Sequence, residues 1–199
     1  MNDSANTQLI FTIKGGKIAL GPLSREMIPL IAGWLGDFAV QRTFGGIPRA
    51  VTIEEATTIY DRWTVSKDAY WFAIYEQSSG RPIGHTDLFE IDWRSRTCTF
   101  GILIGEADAR GKGYGTETAS LMLDYAFTAL GFHSVMLMVD SFNLAGQAAY
   151  EKAGFKEFGR RRQCSTLNGE LHDILYMDCL ASEFTSPVLG KIFAPDMPR

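Results

Sequence analysis

The chain alternates between stretches of two-residue and helical hydrophobic spacing. "QLIFTIKGGKIALGPL" predicts two short strands that turn at Gly15-Gly16. "SREMIPLIAGWLGD" has helical spacing, with Ser24 placed as an N-cap and Pro29 and Gly33 weakening the run. "TIEEATTIYDRWTVSK" is a stronger helix, with Thr52 and Glu55 at capping-box spacing. "AYWFAIYE", "RPIGHTDLFEID" and "RTCTFGILIG" read as strands. The last two are separated only by "WRS" after Asp92, a turn residue, so they are expected to be antiparallel neighbours.

Beyond them, Ala119, Met122, Leu123, Ala126, Phe127 and Leu130 form one helical stripe that stops at Gly131. "HSVMLMVD" is a buried-type strand, and "NLAGQAAYEKA" a short helix stopped by Gly154. A hairpin turning at Leu167-Asn168-Gly169 closes the domain. The expected class is α+β, a mixed sheet flanked by helices. Residues 1–182 read as a single domain and 183–199, with Pro187, Pro195 and Pro198, as an irregular tail.

Composition narrows the function. A net charge of −4 excludes a general nucleic-acid binder. The three cysteines, Cys98, Cys164 and Cys179, have no Cys-x-x-Cys spacing and suit a reducing compartment. The three histidines, His85, His133 and His172, make no zinc pattern. The N-terminal "MNDSANTQLIFTIKGGK" lacks a signal-peptide core, and no apolar run approaches ~20 residues. A soluble cytoplasmic protein is expected, with no metal, nucleic-acid or membrane partner, as a monomer or homodimer.

The chemistry gathers around "RGKGYG", Arg110–Gly115, between an apolar strand and the amphipathic helix. Glycines at that spacing let backbone amides converge on an anion, most often phosphate. A Walker A loop is excluded because Gly105 precedes Gly111-Lys112 by one residue too many and Gly113 stands where its hydroxyl belongs. The dinucleotide fingerprint fails because Thr116 occupies its third glycine position.

Arg110-x-x-Gly113-x-Gly115 resembles the Arg/Gln-x-x-Gly-x-Gly/Ala loop of the GCN5-related N-acetyltransferase (GNAT) superfamily. "NLAGQAAYEKAGF" resembles that family's second signature at Asn143, Tyr150, Glu151, Lys152, Gly154 and Phe155, with Gly146 replacing the usual Ala or Ser. "RPIGHTDLFEIDWRSRTCTFGI" is similar to the third and fourth strands of the ribosomal-protein N-terminal and polyamine acetyltransferase branch. The likeness spans roughly Ile83–Leu180.

The resemblance implies a mostly antiparallel sheet splayed between the family's fourth strand, here "CTFGILIG", and its fifth, here "HSVMLMVD". It also implies acetyl transfer from acetyl-CoA directly to a primary amine: a protein N-terminus, a polyamine, an aminoglycoside-like antibiotic or another small amine. A non-catalytic acyl-CoA sensor is the alternative. Backbone groups of Leu103 and Ile104 would pair with the pantetheine arm. Amides of Gly111, Lys112, Gly113, Tyr114, Gly115 and Thr116 would hold the pyrophosphate, with Arg110 or Lys112 adding charge. Asn143 would cap its helix and touch the cofactor.

Tyr150, a packing aromatic in the plain reading, would protonate the leaving thiolate, its phenol having an ordinary pKa of ~10. Direct transfer leaves the cysteines structural.

The family often carries a glutamate two residues before the glycine of its fourth strand. Here Thr99 stands there and cannot serve as a base. Asp87, Glu90, Glu106, Asp108, Asp173 and His85 remain as candidates, each with a structural reading beside the catalytic one. The base matters because deprotonating a lysine-like amine at pH 7 costs about 4.6 kcal/mol, against about 1.4 kcal/mol for an α-amine. The aromatics Trp34, Phe38, Phe44, Trp63, Tyr70 and Trp71 are expected in the core, with one or two in the acceptor pocket. "RTFGG", Arg42–Gly46, is expected to be a pocket loop between the first two helices.

Overall fold

The structure, a computed structural model, describes residues 10–45 and 47–196. Gln8, Leu9, Gly46 and Pro198, to which some of the readings above extend, lie outside the described residues.

A glycine pair turns the chain at its start, with the Gly15 amide donating to the Ile18 carbonyl at 2.9 Å. The turn joins β1 (Ile13–Lys14) to β2 (Ile18–Gly21). Helices α1 (Ile28–Gly36), α2 (Phe38–Phe44) and α3 (Ile53–Val65) follow. Asp37 interrupts the first pair and caps the second by accepting the Ala39 amide at 2.8 Å. Residues 42–44 of the expected pocket loop are therefore the last turn of α2, which stops at Gly45 with φ 83°. The local signal for this second helix is Asp37, an N-cap residue directly after Gly36. Thr52 caps α3 as its spacing predicts, accepting the Glu55 amide at 3.2 Å, but the Glu55 carboxylate pairs with Arg49 and does not complete the box.

Strands β3 (Tyr70–Glu76), β4 (Pro82–Asp92) and β5 (Thr97–Ile104) form an antiparallel meander. Asp92 accepts the amides of Arg94 and Ser95, closing the β4–β5 turn. Helix α4 (Tyr114–Asp124) continues as one π-type segment, Tyr125–Ala129. Its stripe is buried at Ala119, Met122, Leu123 and Ala126, and the chain leaves through Gly131 at φ 72°. Strand β6 (Ser134–Asp140), helix α5 (Leu144–Ala153) and the long hairpin β7 (Lys156–Leu167) and β8 (Glu170–Leu180) complete the domain.

The eight strands make one sheet in the order β1-β2-β3-β4-β5-β6-β8-β7. Alternation along β3 divides the core between its faces. Phe72 and Ile74 join α4 and α5 on one face, while Ala73 and Tyr75 join α1, α2 and α3 on the other. Strands β5 and β6, the family's fourth and fifth, run parallel and pair only over Thr97–Ser134, Cys98–Val135 and Thr99–Met136. Strand β5 meanwhile stays paired to β4 as far as Ile104. The sheet therefore splays where the resemblance implies it, leaving one edge of β5 open from Phe100 onward.

The tail corrects its expected irregularity over one turn. Helix α6 (Leu189–Ile192) docks there, with Leu189 in the core and its amide bonded to the buried Asp124 carboxylate at 2.8 Å. A buried acceptor 65 residues away supplies what local propensity does not.

Candidate active site

The splay opens into a cleft of about 400 Å³ lined by Ile102, Leu103 and Ile104, by the Arg110–Thr116 loop except Lys112, and by Asn143 and Tyr150. Of the residues expected to touch the cofactor or protonate its thiolate, all but Lys112 thus meet at one place. Gly111 and Gly113 have φ of 73° and 84°, the left-handed region where a Cβ is strained. Gly113 is the N-cap of α4. Among the described residues, none of the backbone amides from Gly111 to Thr116 has a protein acceptor. Free amides at a helix N-terminus form a cradle for an anion.

The charges differ from expectation. The Arg110 guanidinium bonds the carbonyls of Ile104 and Gly105, at 3.4 and 3.2 Å, and ties the loop to the end of β5. The Lys112 ammonium lies 3.9 Å from the Glu76 carboxylate, away from the cleft wall. A cation the motif could not show comes from the first hairpin: Lys17 Nζ donates to the Lys112 carbonyl at 3.1 Å. Glu117 fixes that hairpin against α4 by accepting the Gly16 and Lys17 amides.

Backbone polarity along β5 also shifts the expected pairing by one residue. Gly101 turns its carbonyl toward β4, where the Thr86 hydroxyl bonds it at 2.7 Å. A Cβ on Gly84 would collide with the Leu103 carbonyl, which therefore points the same way. By alternation, Ile102 and Ile104 present their polar groups to the open edge, and Leu103 does not.

Asn143 caps α5, its Oδ1 accepting the Gly146 amide at 3.0 Å. Gly146 replaces the family's Ala or Ser because the Asn143 amide folds over its bare Cα: a Cβ there would stand 2.7 Å from Nδ2. Tyr150 packs edge-on against Phe100, with ring centroids 6.2 Å apart. Its hydroxyl has no hydrogen-bond partner among the described residues, and burial raises its pKa to about 12, so it carries its proton at neutral pH.

A second cavity of about 840 Å³ adjoins the first. Tyr150, Ile102, Phe44, Thr43 and Arg42 line both. Of the expected aromatics, Phe44, Trp63 and Trp71 reach this cavity. Trp34 is buried, with its indole N–H on Glu106 at 2.8 Å. Tyr70 packs on Tyr125, and Phe38 is exposed. Trp63 and Trp71 stack with centroids 4.2 Å apart, and His85 lies 4.7 Å from the Trp63 ring.

Most candidate bases are engaged elsewhere. Glu106 and Asp108 face Arg81. Asp173 accepts the Gln163 amide and lies near Arg160. Glu90 is exposed and accepts from the Thr99 hydroxyl at 2.8 Å. Burial pushes the pKa of His85 down to about 3, and neither of its ring nitrogens has a hydrogen-bond partner among the described residues. Asp87 remains, buried on the cavity wall.

Burial raises the Cys98 and Cys179 thiols to about 12 and 11. Cys164 borders the second cavity with its thiol on the Arg161 carbonyl. Among the described residues no group of three or more His, Cys, Asp or Glu could hold a metal ion. No helix there is long and apolar enough to cross a membrane.

Comparison with known proteins agrees with this geometry. A profile of the Acetyltransferase (GNAT) domain matches residues 17–156. The chain is 28% identical over 160 residues to spermidine N(1)-acetyltransferase of Escherichia coli (strain K12), covering 80% of this chain and 84% of the relative. It is 35% identical over 121 residues to the probable N-acetyltransferase YjcK of Bacillus subtilis (strain 168), covering 59% and 66%. The crystal structure of spermidine N-acetyltransferase from Vibrio cholerae, in complex with CoA and spermine, superposes with a TM-score of 0.77 at 25% identity. That match covers 85% of this chain and 98% of the other. A splayed sheet with a glycine-loop cradle at its opening, and a domain profile spanning most of the chain, make this protein an N-acetyltransferase of the GNAT family.

Proposed function

We propose that this chain transfers the acetyl group of acetyl-CoA directly to a primary amine. The observation that carries this is the place of Tyr150, which stands on the wall of both the loop cleft and the adjoining cavity. One space suits a phosphate-bearing acyl donor and the other suits an acceptor, with a protonated phenol between them.

The residues fit acetyl-CoA. The left-handed Gly111 and Gly113 open the loop, and its unpartnered amides would receive a pyrophosphate. Ile102 and Ile104 offer backbone groups to an extended amide-bearing arm. Bound acetyl-CoA supplies an activated thioester. Tyr150 holds a proton where a departing sulfur would need it, and its packing on Phe100 and Phe155 fixes the ring. Phe44, Trp63 and Trp71 keep the acceptor side apolar, which strengthens any charge interaction made there.

Among acceptors, polyamines are the reading we favour. Spermidine is named for the E. coli relative and spermine for the V. cholerae complex, and an aromatic wall with one buried carboxylate suits an alkylammonium. The test is thiol release from acetyl-CoA over spermidine, spermine, an aminoglycoside and peptides with free α-amines. Fastest turnover with the polyamines supports this reading. CoA binding without turnover on any of them would return the sensor alternative.

A further inference from the structure

Asp87 lies on β4, 7% exposed, and lines the acceptor cavity. Its carboxylate has no hydrogen-bond or ion-pair partner among the described residues, in contrast to Glu106, Asp108, Asp173 and Glu90. The backbone makes room for it. Gly101 stands directly across the β4–β5 ladder, and a Cβ there would come within 2.5 Å of Asp87 Oδ1. On the opposite ladder its partner is Trp71, one face of the Trp63–Trp71 stack.

A buried carboxylate with no ion-pair partner among the described residues, beside half-buried aromatic side chains on the cavity wall, is a host for a cation with protons to lose. Position 99, from which the family's glutamate would act, carries Thr99 on this same cavity.

We propose that Asp87 is the proton acceptor for the incoming ammonium, replacing from β4 the base that β5 lacks. This rests on the amine-acetyltransferase reading above. Asp87 takes one N–H proton of R–NH3+, forming a carboxyl O–H and freeing the nitrogen lone pair. The C–N bond forms at the acetyl carbonyl of the thioester as the C–S bond breaks. Tyr150 gives its proton to the departing thiolate. The second proton shed by the nitrogen restores Tyr150, and Asp87 returns its own proton to solvent.

Burial raises the Asp87 carboxyl to about 7, so near neutral pH it is basic enough to accept and still substantially ionised. The titratable or charged groups nearby are His85, two residues back along β4, and, lining the same cavity, Arg42 of α2, Arg62 of α3, Tyr150 of α5, Asp140 of β6 and Cys164 of β7. His85 stays neutral and leaves Asp87 without an imidazolium partner.

The experiment compares wild type with Asp87→Asn, Glu90→Gln, Asp140→Asn and Gly101→Ala, using spermidine and a peptide amide with a free α-amine as acceptors. Thermal melts and CoA calorimetry confirm that each variant folds and binds. Asp87→Asn is expected to lower kcat about 100- to 10,000-fold with spermidine and less with the α-amine, which needs less help losing its proton. It is also expected to erase the limb of the kcat/KM profile that rises through about pH 7. Gly101→Ala, which pushes the carboxylate aside, should lower kcat as well, while Glu90→Gln keeps most of it. Wild-type kcat and an intact limb in Asp87→Asn, or loss of that limb in Glu90→Gln or Asp140→Asn instead, would overturn Asp87 as the acceptor and leave the enzyme reading standing. A wild-type protein that acetylates neither amine would overturn both.

Discussion

The Tyr114 hydroxyl donates a 2.7 Å hydrogen bond to Glu76 Oε1, joining the first residue of α4 to the last of β3. The bond clamps the exit of the glycine loop to the rigid part of the sheet. Tyr114→Phe keeps the packed ring and frees the loop, so CoA affinity should fall about fivefold by calorimetry with little change in the fold. The Tyr114 bond, followed by one from Ser79, holds the Glu76 carboxyl below its ordinary range. A lowered folded-state pKa gives stability that is present above the unfolded value and lost as pH falls through the folded one. The clamp should therefore hold at neutral pH and loosen below about pH 4, where CoA binding by wild type should converge on that of Tyr114→Phe.

Gly113→Asp tests the anion cradle. At φ 84° aspartate is among the better-tolerated substitutes, so the fold should survive. The added carboxylate repels a pyrophosphate at the α4 N-terminus. Calorimetry should show at least a tenfold loss of CoA affinity, and unchanged affinity in a folded variant would refute the phosphate assignment.

Tyr150→Phe separates chemistry from packing. Its aromatic neighbours Phe100 and Phe155 would still hold the ring. If the phenol protonates the thiolate, kcat should drop ~100- to 10,000-fold while CoA binding changes by ~1 kcal/mol or less. A variant with near wild-type kcat in steady-state assays would assign the proton to water.

Asp124→Ala tests the docking of the tail. The carboxylate is fully buried and accepts the amides of Val188 and Leu189 at 2.9 and 2.8 Å. Its removal leaves those donors without an acceptor, at about 1–3 kcal/mol each if they stay buried. At about 2–4 °C per kcal/mol for a domain of this size, the Tm should fall by roughly 4 °C or more, with CoA affinity kept. Burial pushes the Asp124 pKa up, but bonds from Ser186, Leu189, Thr128 and Val188 outweigh it and the net shift is downward. Its contribution is present above the unfolded carboxylate value, ~3.9, and is lost as pH falls below that. Wild type and variant should then melt alike in strong acid.

Local chemistry was enough to read the turns and caps. Gly15-Gly16, Asp92 and Asn168-Gly169 made the turns their residues imply, and Thr52 capped α3, because each involves atoms a few residues apart. The loop spacing and the Asn143–Phe155 signature located the cleft for the same reason: positive φ and free helix-end amides belong to short segments.

The fold alone decided what depends on partners far along the chain. Arg110 turned to the end of β5, and Glu76 drew Lys112 away from the cleft. Ile102 replaced Leu103 at the open edge because sheet register, not residue type, sets which carbonyls face outward. Asp87 was one of six candidate bases in the sequence, and only its seat opposite Gly101, away from the Arg81 guanidinium that holds Glu106 and Asp108, set it apart. A side chain's type states what it can do. Its ionisation and its partner come from the water and charge that the packed neighbours exclude or supply, and those neighbours are assembled only when distant strands pair.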